Sequence, residues 1–421
     1  MNELHPISGT ARRLGQRFDR AGFQLFVVGG AVRDQVLGLS STEDDIDMTT
    51  DARPADIVAL LEPIATAVWR QGERFGTIGA TVFGRDVEIT TFRSETYSGH
   101  SRKPVVGFGD DLRTDLSRRD FTINAMALSA SDGDLHDPFD GAGDLRAGLL
   151  RTPLAPEVSF NDDPLRMLRA ARFAARLDLR FDDPLIDAAT TLAPRMEIVS
   201  GERIFAEIER LLRLPDPSAG IEFLWTTGVL SAAFDRAPLP SFTTVAEAID
   251  RMAHAEPVDS GVRWAALCVL TGVDVEELSF QLRMSVDRRK DLSRLSSDRL
   301  PTTYQQSDLR RLILKPGRSQ VLRMVQLERI LEMRPDPELA RLAADFSELV
   351  DREPAHALRS PLSGGEILSI LNIDPGPVVG DVTRHLEELA VEQGPLSPES
   401  AAQAARLFLQ RKQPSPTDGP R

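Results

Sequence analysis

Three clusters in this 421-residue chain carry side chains suited to chemistry on phosphates. The sharpest is Asp45-Ile46-Asp47. On a strand, residues two apart point the same way, so both carboxylates would share one face with Ile46 on the other. Two hard oxygen anions suit Mg²⁺, which takes one or two carboxylates together with substrate phosphates. Taken alone the pattern is weak, because Glu43 and Asp44 beside it also read as a solvated acidic loop. Upstream, Gly29-Gly30-Ala31-Val32-Arg33-Asp34 follows the apolar run Leu25-Phe26-Val27-Val28, a strand passing through a tight turn into a helix. The glycines permit close backbone approach, and the helix start with Arg33 offers positive potential to a phosphate. No Gly-Lys-Ser/Thr follows, so this is not a P-loop. Glu88, on the second strand of an expected hairpin, either supplies a third carboxylate or faces solvent.

The second cluster is Arg118-Arg119-Asp120-Phe121-Thr122-Ile123-Asn124-Ala125. It reads as a helical start, with Asp120 as cap, Phe121 entering the core and the arginines free for phosphate or ribose. The third is Asp162-Asp163-Pro164-Leu165-Arg166-Met167-Leu168-Arg169-Ala170-Ala171-Arg172. Asp163 stands at an N-cap, Pro164 at the first helical position, and Asp163 and Arg166 share a face. Cytosine and adenine both present an exocyclic amino donor beside a ring-nitrogen acceptor. A carboxylate accepts from the first and an arginine donates to the second, whereas uracil and guanine present a carbonyl and a ring N–H. The plainer reading is a capped, arginine-rich surface helix.

The elements that must hold these clusters fall into two textures. Over the first 150 residues short β-like runs alternate with turns: 78–83 and 87–92 flank Gly84-Arg85-Asp86 as a hairpin, and 55–61 and 121–127 have helical character. Beyond that, helical periodicity dominates at 164–177, 202–214, 218–230, 244–254, 262–270, 309–333 and 365–411. The last nine residues, 413–421, form a polar, proline-rich tail expected to be disordered. The expected fold is α+β, a mixed-sheet head followed by a helical neck, body and tail. The single cysteine, Cys268, excludes a disulfide framework, and six histidines without a close pair argue against zinc. No apolar run approaches a membrane span and no signal-peptide core is present, so a cytoplasmic location is expected. A net charge of −14 speaks mildly against nucleic acid. Residues 281–330, however, hold 12 Lys and Arg against 5 Asp and Glu, a local excess able to track phosphates.

In this order the clusters resemble one family, the bacterial (class II) CCA-adding tRNA nucleotidyltransferases and the related poly(A) polymerases. Gly201-Glu202-Arg203-Ile204 followed by Glu207-Ile208 is similar to that family's neck motif, and the resemblance spans residues 20–230. It implies a nucleotidyltransferase head (1–148), a neck that recognises the base (149–230), a helical body and tail that contact tRNA (231–412), and the terminal tail (413–421). It further implies that Asp45 and Asp47 hold catalytic Mg²⁺ with Glu88 as third carboxylate. Gly29, Gly30 and Arg33 would meet the triphosphate, and Arg119, Asp120 and Asn124 the nucleotide and its ribose. Asp163 and Arg166 would read the base, supported by Arg169 and Arg172, and residues 94–111, with Arg102-Lys103-Pro104, would form the loop that helps switch from CTP to ATP. The implied activity is template-independent building or repair of the tRNA 3′ CCA end from CTP and ATP. Poly(A) addition, A-only addition and a catalytically silent RNA-binding protein are the alternatives.

Two departures stand out. The base-reading motif usually begins Glu-Asp, whereas here it is Asp162-Asp163. Many relatives carry a His-Asp hydrolase site after an Arg-Trp-Ala-Ala-Leu segment. Here Arg263-Trp264-Ala265-Ala266-Leu267-Cys268 runs on into Val269-Leu270, which cannot ligate a metal, so a degenerate domain of that type is expected.

Overall fold

A computed structural model describes residues 9–39, 45–96, 105–109, 111–235 and 238–412. Their contacts divide the chain into two units, Met1–Ala246 with Glu277–Met284, and Glu247–Glu276 with Ser285–Arg421.

The first unit opens with α1 (Gly9–Arg20), β1 (Leu25–Val28), α2 (Gly30–Val36), β2 (Asp45–Thr50), α3 (Pro54–Leu61), β3 (Ala65–Trp69), β4 (Thr77–Val82) and β5 (Arg85–Thr91). A hairpin β6–β7 (Arg93–Thr96, Val105–Phe108), α4 (Leu112–Ser117), β8 (Ala127–Ser129), β9 (Leu135–His136) and α5 (Gly141–Ala147) follow. Seven strands form one sheet in the order β3-β4-β5-β2-β1-β8-β9. It is mixed, because β2 runs parallel to β5 and antiparallel to β1. All four residues of β1 are buried, as an unbroken apolar run near the sheet centre requires. On β2, Ile46 and Met48 go into the core while Asp47 stays exposed. The parallel register sets Asp47 directly beside Glu88 of β5.

The β4–β5 turn is shorter than Gly84-Arg85-Asp86 suggests. It consists of Phe83 and Gly84, both at positive φ (53° and 78°), and Arg85 already pairs with Val82. Two-residue hairpins favour this backbone, and the Arg13 guanidinium over the Phe83 ring holds a residue that would otherwise resist it. The 121–127 segment is likewise not a regular helix. A 3₁₀ turn at Thr122–Asn124 leads into β8. Phe121, Ile123, Ala125, Met126 and Ala127 are all fully buried, so the segment has no polar face to turn outward. Thr122 ties itself elsewhere, its N–H to the Arg151 carbonyl and its hydroxyl to Asp144 at 2.6 Å.

The helical part of this unit contains α6 (Pro156–Asp162), α7 (Leu165–Leu177), α8 (Asp183–Leu192), α9 (Gly201–Leu212), α10 (Ser218–Thr226) and α11 (Val229–Ala233). The apolar face of α7 (Leu165, Leu168, Ala171) is buried, and α9 and α10 pack against the helix. Gly228, at φ +76°, separates α10 from α11 where the sequence suggests one helix.

The second unit is helical among the described residues. It holds the C-terminal part of α12 (Phe242–Ala253), α13 (Ser260–Thr271), the start of α14 (Val275–Gln281), α15 (Val286–Ser297), α16 (Gln306–Leu314), α17 (Arg318–Ile330), α18 (Asp336–Arg352), α19 (Gly364–Leu371), α20 (Pro377–Gln393) and α21 (Pro398–Lys412). The expected 309–333 helix breaks into α16 and α17 at Pro316-Gly317, because proline lacks an N–H and Gly317 sits at φ +96°. Arg263 and Trp264 are at most 1% exposed. The Arg263 guanidinium donates to the Met252 and Ala253 carbonyls at the end of α12, so a buried cation satisfies acceptors the helix leaves open. Residues 413–421 lie outside the described residues.

Candidate active site

One open cavity of about 450 Å³ in the first unit collects the predicted residues. Its wall includes Gly29, Gly30, Arg33, Asp47, Arg119, Asp120, Asn124, Asp163, Arg166, Arg169 and Arg172. Arg118, Phe173 and Arg176 also line it. Seven arginines therefore face three aspartates, an excess of positive charge that attracts a polyanion.

At one edge the backbone of Gly29 takes φ +75°, a region where a side chain is strained. A Cβ there would lie 3.8 Å from Arg119 Nη1 and 3.9 Å from Asp47 Oδ2, so the chain comes close to both groups. Asp45 of β2 pairs with Asp86 of β5, but its side chain lies outside the described residues, as do Glu43 and Asp44. Glu88 is exposed beside Asp47 but is not among the residues lining the cavity. In the β6–β7 hairpin the backbone pairing of 93–96 with 105–108 is described, with Arg93 the one described side chain of its strands, and Arg102, Lys103 and Pro104 lie outside the described residues.

Behind this edge, Asp115 of α4 is fully buried. Its Oδ1 accepts from Arg118 Nε (3.1 Å) and Nη2 (2.8 Å) and from the Arg93 N–H (3.2 Å). Its Oδ2 accepts from the Thr49 hydroxyl (3.2 Å) and lies 3.5 Å from Arg119 Nη2. Burial alone would raise this carboxyl's pKa, but Arg118 and Arg119 outweigh it and hold it below the usual range. Arg119 itself is pushed down by burial, and its Nε has no hydrogen-bond partner. A buried, unpaired donor on a cavity wall is suited to a bound anion.

Asp120 caps no regular helix. Its Oδ1 accepts from the Phe121 N–H (2.9 Å) and Asn124 Nδ2 (3.0 Å), and its Oδ2 from Arg169 Nε (2.9 Å) and Nη2 (2.6 Å). Burial opposes the ionised form, and Arg169 with Asn124 overcomes it, so the pKa is lowered. Asn124 is fixed from its other side by Arg33 Nη1 (2.9 Å), whose Nε and Nη2 bind Asp34. Arg33 is thus less free for phosphate than its sequence position suggests.

Along α7 the stride of Arg166, Arg169, Arg172 and Arg176 presents four cations to the cavity, with the Phe173 ring among them. The same three-to-four spacing would have added Arg176 from sequence. Glu207 of α9, almost fully buried, holds Arg172 Nε at 2.6 Å and Arg210 at 2.7 Å. Asp163 is extended between α6 and α7. Its Oδ1 accepts from the Leu165 N–H and its Oδ2 from Arg203 at 2.9 Å. Helix α7 begins at Leu165 with Pro164 rather than Asp163 at its N-cap, one residue later than the sequence suggests, although the Asp163 carboxylate still accepts from the first helical N–H.

An open sheet that sets Asp47 and Glu88 side by side, next to an arginine-lined cavity, is the architecture of a nucleotidyltransferase head. The model of the "Poly A polymerase head domain" matches residues 25–151, and that of the "Probable RNA and SrmB- binding site of polymerase A" matches 178–238. A CCA-adding enzyme of Leuconostoc mesenteroides is 30% identical over 387 residues, covering 89% of this chain and 90% of the relative. One from Limosilactobacillus reuteri is 38% identical over 230 residues, about half of each chain. The chain belongs to the class II CCA-adding enzyme and poly(A) polymerase family. Among solved structures, the Bacillus stearothermophilus CCA-adding enzyme in complex with CTP matches with a TM-score of 0.72 at 24% identity, covering 96% of this chain and 97% of that one. The Thermotoga maritima CCA-adding enzyme complexed with tRNA matches at 0.69 and 21%, covering 96% and 97%. These two likenesses establish the mixed-sheet head and long helical region.

Among the described residues no group of three or more His, Cys, Asp or Glu side chains could hold a metal ion. Asp47 and Glu88, adjacent across β2 and β5 and both exposed, are carboxylates of the kind Mg²⁺ takes, one or two of them with water and substrate phosphates completing its octahedron. No described helix is long and apolar enough to cross a membrane.

Proposed function

We propose that this chain builds or repairs the 3′-terminal CCA of tRNA from CTP and ATP without a nucleic-acid template. The observation that carries the reading is that Asp163 and Arg166 share one cavity wall with Arg119, Asp120, Asn124 and Asp47. In this reading the triphosphate lies against Gly29, Gly30, Arg33 and Arg119, with Arg33 also bracing Asn124. Asp120 and Asn124 fix the nucleotide and its ribose. The Asp163 carboxylate accepts from the amino group of cytosine or adenine, and Arg166 donates to the adjacent ring nitrogen. Uracil or guanine would set a carbonyl against the carboxylate and a ring N–H against the guanidinium, which leaves both unpaired. Arg169 and Arg172 support the pair. The tRNA 3′-hydroxyl attacks the α-phosphorus, the α–β bond breaks, and pyrophosphate leaves. Asp45 and Asp47, with Glu88 as third carboxylate, would hold Mg²⁺, which when bound would activate the hydroxyl and stabilise the leaving pyrophosphate.

The division of labour we propose is a catalytic head over 1–148, a base-recognising neck over 149–230, and a body and tail over 231–412, ahead of the terminal 413–421. The body descends from a degenerate His-Asp-type domain and contacts tRNA. Of the cations in 281–330, Arg288 is half-buried against Ser260 and Asp291, Arg310 binds Glu353, and Arg323 lies between Asp259 and Asp291. Lys290 and Arg294, both exposed and one turn apart on α15, are better placed for phosphates.

The test is nucleotide incorporation on tRNA transcripts ending before CCA, after C and after CC, with each nucleoside triphosphate alone and together. Ordered addition of C, C and A followed by a stop supports the proposal. A added only to the CC-ending transcript makes the chain an A-adding enzyme, and a long A tract on generic RNA makes it a poly(A) polymerase. No incorporation in the presence of Mg²⁺ removes the enzymatic reading.

A further inference from the structure

The two base-reading groups are held in register by a residue that does not line the cavity. Ser159 lies on α6, four residues before Asp163, and is 2% exposed. Its carbonyl accepts the Asp163 N–H at 3.2 Å. Its hydroxyl accepts from Arg166 Nη1 at 2.7 Å. One residue therefore grips the backbone of the carboxylate and the guanidinium of the arginine at once. The other Arg166 anchor is the Arg118 carbonyl, which accepts from Nη2. That bond links the guanidinium to the wall carrying Arg119 and Asp120. Arg166 Nη1 also reaches the Ser159 carbonyl, at a longer 3.5 Å.

We propose that Ser159 is a specificity-determining positioning residue, one that fixes the spacing between the Asp163 carboxylate and the Arg166 guanidinium. The proposal rests on the base-reading role given above to that pair. A planar base edge with a donor beside an acceptor is told from its opposite only if both reading groups stay in place. An arginine free to rotate could turn away from a ring N–H, and a carboxylate free to shift could retreat from a carbonyl. Either movement relieves the mismatch that rejects uracil and guanine. The Ser159 hydroxyl removes the first freedom without lining the cavity, and its carbonyl, together with the Leu165 N–H and Arg203 on the carboxylate itself, limits the second. Its hydroxyl is uncharged, so it fixes the guanidinium without neutralising it, as a carboxylate at this place would.

The test compares wild type, Ser159→Ala, Ser159→Thr and Arg166→Lys in single-nucleotide incorporation on a tRNA transcript lacking CCA. Each of CTP and UTP is supplied separately, and the primer KM is measured in parallel. Ser159→Ala is expected to lower the ratio of kcat/KM for CTP over UTP by about tenfold, the size of one lost charge-assisted hydrogen bond. The primer KM should stay unchanged. Ser159→Thr keeps the hydroxyl and should restore the ratio even where its added methyl costs stability. Equal losses for CTP and UTP in Ser159→Ala would show a merely structural role and overturn the proposal. An unchanged ratio in Ser159→Ala alongside a relaxed one in Arg166→Lys would overturn it while leaving the base-reading pair intact. An unchanged ratio in Arg166→Lys would overturn the base-reading assignment itself, and this proposal with it.

Discussion

Replacing Asp115 by asparagine is the most demanding test of how the cavity is built. The substitution keeps shape and volume but removes a fully buried charge that faces Arg118, Arg119, Thr49 and the Arg93 N–H. An amide can turn its oxygen toward Arg118 and Arg93, but its NH₂ then confronts the Arg119 guanidinium and the Thr49 hydroxyl. Breaking a buried ion pair by removing one partner costs about 3–5 kcal/mol. The side chains of Arg118 and Arg119 are 19% and 20% exposed, and that contact with water lowers the expected loss. We therefore expect ~2–4 kcal/mol, read from urea unfolding of the first unit's transition at pH 7.

The pH dependence follows from the direction of the shift. The folded-state pKa of Asp115 is lowered, so its stabilisation is fully present above the unfolded value of about 3.9 and is lost as pH falls from there through the folded value. The gap between wild type and Asp115→Asn should be constant from neutral pH down to about pH 5 and narrow below about pH 4. Removing Arg118 as well, in Asp115→Asn/Arg118→Met, should recover part of the loss, because one of the stranded cations goes with it. A loss under about 1 kcal/mol at neutral pH, or strictly additive single substitutions, would refute the view that this carboxylate holds the arginine wall.

Gly29→Ala forces a side chain to φ +75° and should cost about 1–2 kcal/mol with a fall in kcat/KM for every nucleotide, measured by unfolding and incorporation together. Unchanged stability would mean the turn relaxes. The Cys268 thiol is buried and pushed up to about 12, so iodoacetamide at pH 8 should leave it unmodified in the folded protein and alkylate it in denaturant, as mass spectrometry reads directly. Neutralising Lys290 and Arg294 together should shallow the salt dependence of tRNA binding by about two ions with melting unchanged. Arg288→Ala should instead lower the melting temperature through its lost bonds to Ser260 and Asp291.

The chemical residues were more legible in the sequence than the frame that holds them. Asp45-Ile-Asp47 reads as a strand because its alternation has period two. The arginines of α7 read as one face because their spacing is three and four. What did not show is whatever depends on partners distant in sequence. Asp115 looks like an ordinary polar residue of a short helix, and only folding brings Arg93 and Thr49 to it, while Ser159 meets Arg166, seven residues on, across the break between α6 and α7. The stretch 121–127 carries helix-forming residues, yet burial on every side and the Arg151 carbonyl decide otherwise. Arg33 reads as a phosphate ligand because nothing local reveals that Asn124, far along the chain, occupies its fork.

The carboxylates behind the arginine wall also bear on entropy. A free arginine carries close to 2 kcal/mol of rotamer entropy, which a ligand must take up when it immobilises the side chain. Arg118, Arg169 and Arg172 have already surrendered much of theirs to Asp115, Asp120 and Glu207. That cost was met once, during folding. An anion that enters the cavity therefore meets donors that need little further ordering, so its arrival and departure need not reorganise the wall. A cavity with the same charge on loose arginines would bind its anion more weakly and rebuild itself at every cycle.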